Sequence, residues 1–262
     1  IIAAEQLRQM KNTFIVTVTL ASRAAIRGGM DVEEAFSLSD AYIQKCELLS
    51  NPEQIMNLQG KKINFLGDSI TEGAGASVYE NCYVEVLKRQ YGLLEARNYG
   101  IGGTRIARQR IPSENPKYDR DFCSRVAELA TDADLVVVFG GTNDHGHGDA
   151  PLGTDTDRTP DTFIGACHTL YASLKEKFSC PIVVLTPLHR EVETREDGIE
   201  LKDYVNLIKA IALQYGLPVL DLYEKSAIHP AALFTLTVDG LHPNDEGHAI
   251  LAAEIGEYLL AL

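Results

Sequence analysis

Lysine and arginine are scarce in this chain, 24 against 37 aspartates and glutamates, for a formal net charge of −13 over 262 residues. An excess of negative charge disfavours a nucleic-acid backbone or an anionic membrane as partner. Cysteine is sparse too. Cys46, Cys82, Cys123, Cys167 and Cys180 are scattered, odd in number and without a C-x-x-C pair. That pattern speaks against a zinc site or a disulfide frame and reads as isolated thiols in a reducing compartment. No apolar run approaches the length of a bilayer-spanning helix. Phe14 to Ala21, behind Arg8 and Lys11, imitates a signal peptide, but the run is short and carries Thr17 and Thr19. A cytoplasmic location is expected, with secretion left open by that stretch. The first residues are Ile-Ile rather than Met, which leaves a longer parent chain open.

Several nucleotide and hydrolase signatures are absent as well. The glycine-rich stretch "GDSITEGAGAS" contains no Gly-Lys-Ser/Thr, so it is no phosphate-cradling loop. Gly100-Ile101-Gly102 begins like a dinucleotide turn, but Arg105 stands where the third glycine belongs. The nucleophile elbow G-x-S-x-G fails because Thr71 occupies its last position. No cofactor is expected.

What is present is a chain with 45% hydrophobic residues, enough for a sizeable core. Residues 1–59 read as helical. Glu5 to Arg27 is a long helical candidate stopped by Gly28-Gly29. Asp31 can cap a second helix with Glu34 following, and Ser39 or Asp40 can start another turn through Leu49, ended near Asn51-Pro52. The simplest reading is a helical hairpin packed on the main domain.

From Gly60 to Leu262 the rhythm changes. Apolar runs at Ile63–Leu66, Ala96–Tyr99, Leu135–Phe139, Ile182–Leu185 and Val219–Leu222 alternate with helical stretches at Tyr79–Tyr91, Asp121–Ala130, Asp161–Phe178 and Lys202–Tyr215. A last helix runs from Asp245 to Leu260, capped by Asn244. This predicts a five-stranded parallel sheet covered on both faces, an α/β/α sandwich. Ligands of such a fold bind at the carboxyl ends of the strands, so functional residues should follow strands directly.

Four segments sit there or near it: Gly67-Asp68-Ser69, "NYGIGGT" from Asn98, "GGTND" from Gly140, and "DGLHPNDEGH" from Asp239. Taken singly, each has an ordinary structural explanation. Ser69-Ile70-Thr71-Glu72 fits a capping box, the glycines fit turns, and Asp239 can cap a turn that His242 ends. Together they supply a chemistry. A serine hydroxyl attacks only when a base takes its proton, and the base needs a third group to hold it. Asp239 and His242 are close enough for one tight turn to pair them, and Pro243 stiffens that loop. Gly103, or Gly102 as its only rival, and Asn143 suit an oxyanion hole. Ser69 is placed as helix cap through its backbone and as nucleophile through its side chain. His145-Gly146-His147-Gly148-Asp149 also reads as H-x-H-x-D, a metal pattern, but Ala150 follows where the similar metallo-hydrolase pattern has histidine. No metal is expected, and Asp68, His145 and His147 are assigned to the substrate pocket, the two histidines at its rim.

The four segments, in order, resemble the signature blocks of the SGNH, or GDSL-type, esterases and lipases, over residues 60–262. The resemblance implies a flavodoxin-like sandwich and metal-free hydrolysis of an ester or related acyl bond. It also implies Ser69 as nucleophile, Asp239 and His242 as its partners, and Ser69, Gly103 and Asn143 as the oxyanion hole. Separately, "FIVTVTLASRAAIRGGMDVEEAFSLSDAYIQKCELL" resembles the helical segment that precedes the DNA-binding helices of AraC-type regulators, though no paired helix-turn-helix units come after it.

The expected activity is that of a serine acylhydrolase on a small-molecule ester. Short-acyl esters of carbohydrates are the first choice, because the loop from His145 to Pro160 is rich in Gly, Asp and Thr. Lysophospholipase, thioesterase or aryl-esterase activity is the alternative within the family. A ligand sensor coupled to the N-terminal helices is the alternative outside it.

Overall fold

The computed structural model describes residues 58–262 without interruption and, ahead of them, only part of 11–40. The chain divides into two compact units, Ile1–Gln59 with Leu259–Leu262, and Gly60–Tyr258. In the first unit a helix ends at Arg27, where Gly29 turns left-handed (φ 101°) and the Met30 N–H returns to Ala25 O at 3.1 Å. Glycine is suited to this, since a Cβ disfavours positive φ. Asp31 Oδ1 then accepts the Glu33 N–H at 2.9 Å, capping the next helix. Glu34, Cys46 and the turn expected from Ser39 to Leu49 lie wholly or largely outside the described residues.

The second unit carries strands β1 (Lys62–Gly67), β2 (Glu95–Gly100), β3 (Leu135–Phe139), β4 (Ile182–Leu185) and β5 (Val219–Leu220). They are all parallel, in the order β2-β1-β3-β4-β5. The helices are α1 (Ser69–Glu72), α2 (Tyr83–Tyr91), α3 (Phe122–Arg125), α4 (Thr142–His147), α5 (Phe163–Lys177), α6 (Leu201–Gln214), α7 (Leu222–Lys225), α8 (Leu233–Leu236) and α9 (Asp245–Leu260). Every residue of β3 and β4 is buried, as apolar runs covered by helices on both faces require. Edge strand β2 is only half-buried and carries charge: Arg97 pairs with Glu95 and Asp132, which protects the open edge from further pairing.

The sandwich is as the sequence predicts, with local differences that have local causes. Chain direction changes at Cys82, which splits the stretch expected as one helix into a 3₁₀ turn, Tyr79–Asn81, and α2. The change drives Tyr83 into the core, where its ring meets Phe65 edge-on at 5.9 Å. Strand β5 stops at Leu220 because Asp221 caps α7 through the Glu224 N–H. Asn244 Oδ1 accepts the Gly247 N–H at 3.0 Å, the expected cap of α9.

Strand order reverses between β1 and β3, so the loops leaving these neighbours open a crevice at the carboxyl edge. Ser69 follows β1 and Asn143 follows β3.

Candidate active site

The site is built by four loops. At the first, Gly67 must lack a side chain because a Cβ there would collide with Thr71. Asp68, not Ser69, caps α1: its Oδ1 accepts the Ile70 N–H at 3.1 Å, and Ser69 is the first helical residue. The expected capping box does not form. Glu72 turns away, and its Oε2 accepts the Gly102 N–H at 2.8 Å while Oε1 takes Lys117 Nζ at 2.6 Å. Relieved of capping, the Ser69 hydroxyl lies 2.9 Å from His242 Nε2.

The Asp239 turn holds that imidazole. Asp239 Oδ1 accepts the N–H groups of Leu241 (3.0 Å) and His242 (2.8 Å), and Oδ2 lies 2.7 Å from His242 Nδ1. Gly240 takes φ 76° at the tip, and Val238 N–H closes the turn on His242 O at 2.9 Å. Partial burial pushes the Asp239 carboxyl up, but the His242 N–H and ring and the Leu241 N–H together hold it below the usual carboxylate range. A charged Asp239 keeps the proton on Nδ1, which leaves Nε2 to accept from Ser69.

The two glycines after β2 are distinguished by their amides. The Gly102 N–H is occupied by Glu72, whereas the Gly103 N–H has no acceptor among the described residues. Gly103 sits at φ 73° with the Tyr118 ring against its Cα, so any side chain would collide with that ring. After β3, Asn143 is buried and donates one amide hydrogen to Thr104 O at 2.9 Å, leaving the second without an acceptor among the described residues. We expect Asn143→Ala to lower kcat by about 10²–10³ with KM little changed, as for a donor used once charge develops. Steady-state kinetics on one chromogenic ester checks this; a change confined to KM would move Asn143 to ground-state binding.

Three buried ionic groups that the sequence reading missed hold these loops. Arg125 is fully buried and donates to Tyr99 O (2.8 Å), Gly67 O (3.0 Å) and Thr104 Oγ1 (3.1 Å), tying the ends of β1 and β2 together. Burial draws its pKa down to about 10. Asp144 Oδ2 and Oδ1 accept the N–H groups of Ile106 and Ala107 at 2.9 and 2.8 Å, and burial raises its carboxyl to about 6 against those bonds. Arg105, 3% exposed, reaches His147 Nδ1 (2.9 Å) and Asp119 (3.3 Å). Arginine inside an otherwise polar loop gives no sequence signal of this kind.

The rim assignment of His145 needs correction. His145 is 1% exposed, its ring edge-on to Tyr204 at 5.7 Å, so it belongs to the packing beneath the site and not to a rim. Asp68 is also buried. His147 is exposed. The H-x-H-x-D residues have separate engagements: His145 packs on Tyr204, His147 meets Arg105, and Asp149 takes the N–H groups of Arg110 and Ile111. Among the described residues no group of three or more His, Cys, Asp or Glu side chains could hold a metal ion. No helix among them is long and apolar enough to cross a membrane.

Burial raises the Asp68 carboxyl to about 7, more than the Ile70 N–H, His242 and Arg125 lower it. A carboxyl whose pKa is raised in the fold favours folding below its unfolded value near 3.8, and that advantage is lost as pH rises toward 7. Asp68→Asn keeps a capping oxygen but no charge. It should therefore stabilise the protein on the order of 2–4 kcal/mol at pH 8, and hardly at pH 4. Thermal melts at the two pH values check this, with Tm about 5–10 °C higher at pH 8 only.

A hydroxyl, an imidazole and a carboxylate in hydrogen-bonded series at the carboxyl edge of a parallel sheet form the arrangement of a serine hydrolase. Residues 65–250 match the GDSL-like lipase/acylhydrolase family. The chain belongs to that family, and is a hydrolase acting on esters. A protein from Lactobacillus plantarum is 30% identical in sequence, with TM-score 0.68 over 78% of this chain and 98% of its own. The lipase/acylhydrolase from Enterococcus faecalis, 24% identical, shares the fold with TM-score 0.57 over 77% of this chain and 96% of its own. No curated protein matches the sequence.

Proposed function

We propose that Ser69 is the nucleophile of this ester hydrolase, His242 its general base and Asp239 the group that orients and stabilises the imidazolium. The Ser69–His242–Asp239 series, at 2.9 and 2.7 Å, carries this reading. His242 Nε2 takes the serine proton as Oγ attacks the acyl carbon. The amides of Ser69 and Gly103 and the Asn143 side chain receive the negative charge on the carbonyl oxygen. The imidazolium then protonates the departing alcohol, and water activated by His242 releases the acid. An intact series of this kind argues against a sensor that binds without turnover.

The substrate class we favour is short-acyl esters of carbohydrates. In the loop from His145 to Pro160 several polar groups are engaged with one another or with neighbouring helices. Asp157 accepts from Thr154 and Thr162, and Asp155 faces His168 and Gln214. Support comes instead from polar groups around the crevice: His147, Arg190 and the Lys117–Glu72 pair, with the partly exposed Tyr118 ring on Gly103. Exposed Phe234 (68%) and Val238 (59%) beside Asp239 favour a second reading, a longer acyl chain. Nitrophenyl esters of increasing acyl length, followed by acetylated sugars, separate the two. Activity confined to acetate and propionate supports the first reading, and a maximum at octanoate or beyond supports the second. Fluorophosphonate labelling at a residue other than Ser69 would overturn the nucleophile assignment.

A further inference from the structure

At this edge Arg190 forms no ion pair within 4.0 Å among the described residues. Arg190 follows β4, a few residues past its end, and the turn that carries it is braced. Glu193 Oε1 takes His189 Nδ1 at 2.6 Å and the Arg190 N–H at 3.2 Å, and Glu193 Oε2 takes the Tyr223 hydroxyl at 2.7 Å. The His189 and Tyr223 rings lie 4.0 Å apart. Next in sequence, Glu191 donates its N–H to Gly240 O at 2.8 Å, inside the Asp239–His242 turn. On the other side Arg190 Nη1 donates to Thr142 O at 2.9 Å and Thr142 Oγ1 at 3.2 Å, one residue before Asn143. Nη1 also lies so close over Gly146 that a side chain there would collide with it. Arg190 is thus held between the loop bearing Asn143 and the loop bearing Asp239 and His242.

Among the described residues only Nη1 is engaged. Among the described residues the Arg190 guanidinium forms no ion pair within 4.0 Å, and its Nε and Nη2 have no hydrogen-bond partner. Neither nearby glutamate pairs with it: the Glu191 side chain lies against Gly240, and Glu193 already serves His189 and Tyr223. Neither free nitrogen is closed off from solvent, and the residue is partly exposed. A half-buried guanidinium has lost part of its hydration, and burial lowers its pKa against the charges of Glu193, Asp239 and Asp68. Nε–H and the neighbouring Nη2–H form the side edge of the fork, whose two parallel donors match the two oxygens of a carboxylate.

The geometry points to this edge of Arg190 as the subsite for a carboxylate carried by the substrate, beside the acyl-transfer centre. With the short neutral acyl group favoured above, the carboxylate belongs to the alcohol part. The substrate class is then an acylated sugar acid. The substrate assignment rests on the carbohydrate-ester reading, while the anion subsite rests on Arg190 alone.

Mono-O-acetyl glucuronate and its neutral carboxamide test this as a matched pair. Wild-type kcat/KM should favour the carboxylate about 10–100-fold, mainly through KM, as expected for a charge-assisted bidentate contact. Arg190→Gln should bring the ratio near one, and Arg190→Lys should leave an intermediate ratio because it keeps the charge without the fork. A wild-type ratio of one overturns the proposal. So does a ratio that persists in Arg190→Gln while both esters slow together, since Arg190 would then only brace Thr142. Calorimetric titration of free glucuronate into Ser69→Ala, with and without Arg190→Gln, reads the subsite without turnover. Binding lost with Arg190 supports the subsite even if neither ester is hydrolysed, in which case only the ester reading falls. Binding that is absent from Ser69→Ala, or unchanged by Arg190→Gln, overturns it.

Discussion

Ser69→Ala is expected to lower kcat by about 10⁴ or more, and His242→Ala by a similar factor, while the double variant is hardly slower than either. The non-additivity follows from the geometry. The hydroxyl is 2.9 Å from Nε2, and in the proposed mechanism it gains nucleophilicity only through that contact, so a base without its serine, or a serine without its base, would have nothing left to contribute. Residual catalysis should persist in all three variants, because the Gly103 and Asn143 donors are fixed independently of the serine. Single-turnover and steady-state rates on nitrophenyl acetate measure the set. Near-normal turnover by Ser69→Ala would end the serine mechanism, and multiplicative losses would mean that the two residues act in different steps.

Asp239→Asn should depress the plateau of kcat/KM by roughly 10²–10⁴. Asparagine can still receive the backbone N–H groups of Leu241 and His242, so the turn is expected to survive. What changes is the proton. An amide placed with its NH₂ toward Nδ1 forces the hydrogen onto Nε2, where it faces the Ser69 oxygen and blocks general-base action. Asp239 is held below the usual carboxylate range, so in the wild type it stays ionised from pH 5 to 9 and any acid limb in that interval is not its own. Asp68, raised to about 7, is a rival source of such a limb. An acid limb that survives in Asp68→Asn belongs to the imidazole, and one that vanishes belongs to Asp68. A flat wild-type profile would show that histidine deprotonation does not limit the reaction.

Much of this site is legible along the chain because its parts are local. The D-x-x-H spacing closes a single turn, and the contacts that pair Asp239 with His242 lie within those four residues. Strands β3 and β4 match their apolar runs to the residue, since burial on both faces leaves no polar position to blur the ends. Ser69-Ile70-Thr71-Glu72 misleads for an equally local reason. Capping-box spacing describes which side chains can reach an amide, not which one does, and here Asp68 reaches first while Glu72 finds Gly102 and Lys117.

The sequence by itself determined the parallel sandwich and the order of its strands along the chain, and it singled out Ser69, Asn143, Asp239 and His242 as candidates. These follow from hydrophobic period, turn chemistry and short spacings, which are properties of neighbouring residues. Only the tertiary structure decided which glycine keeps a free amide, that His145 is packed on Tyr204, and that Arg125 joins two strand ends. The Arg125 contact to Gly67 spans 58 residues and exists only because β1 and β2 lie side by side. Arg190 lies between Thr142 and the Asp239 turn for the same reason. Its neighbours are set by the placing of β3, β4 and the last loop around one crevice, and no spacing within the chain encodes that placing.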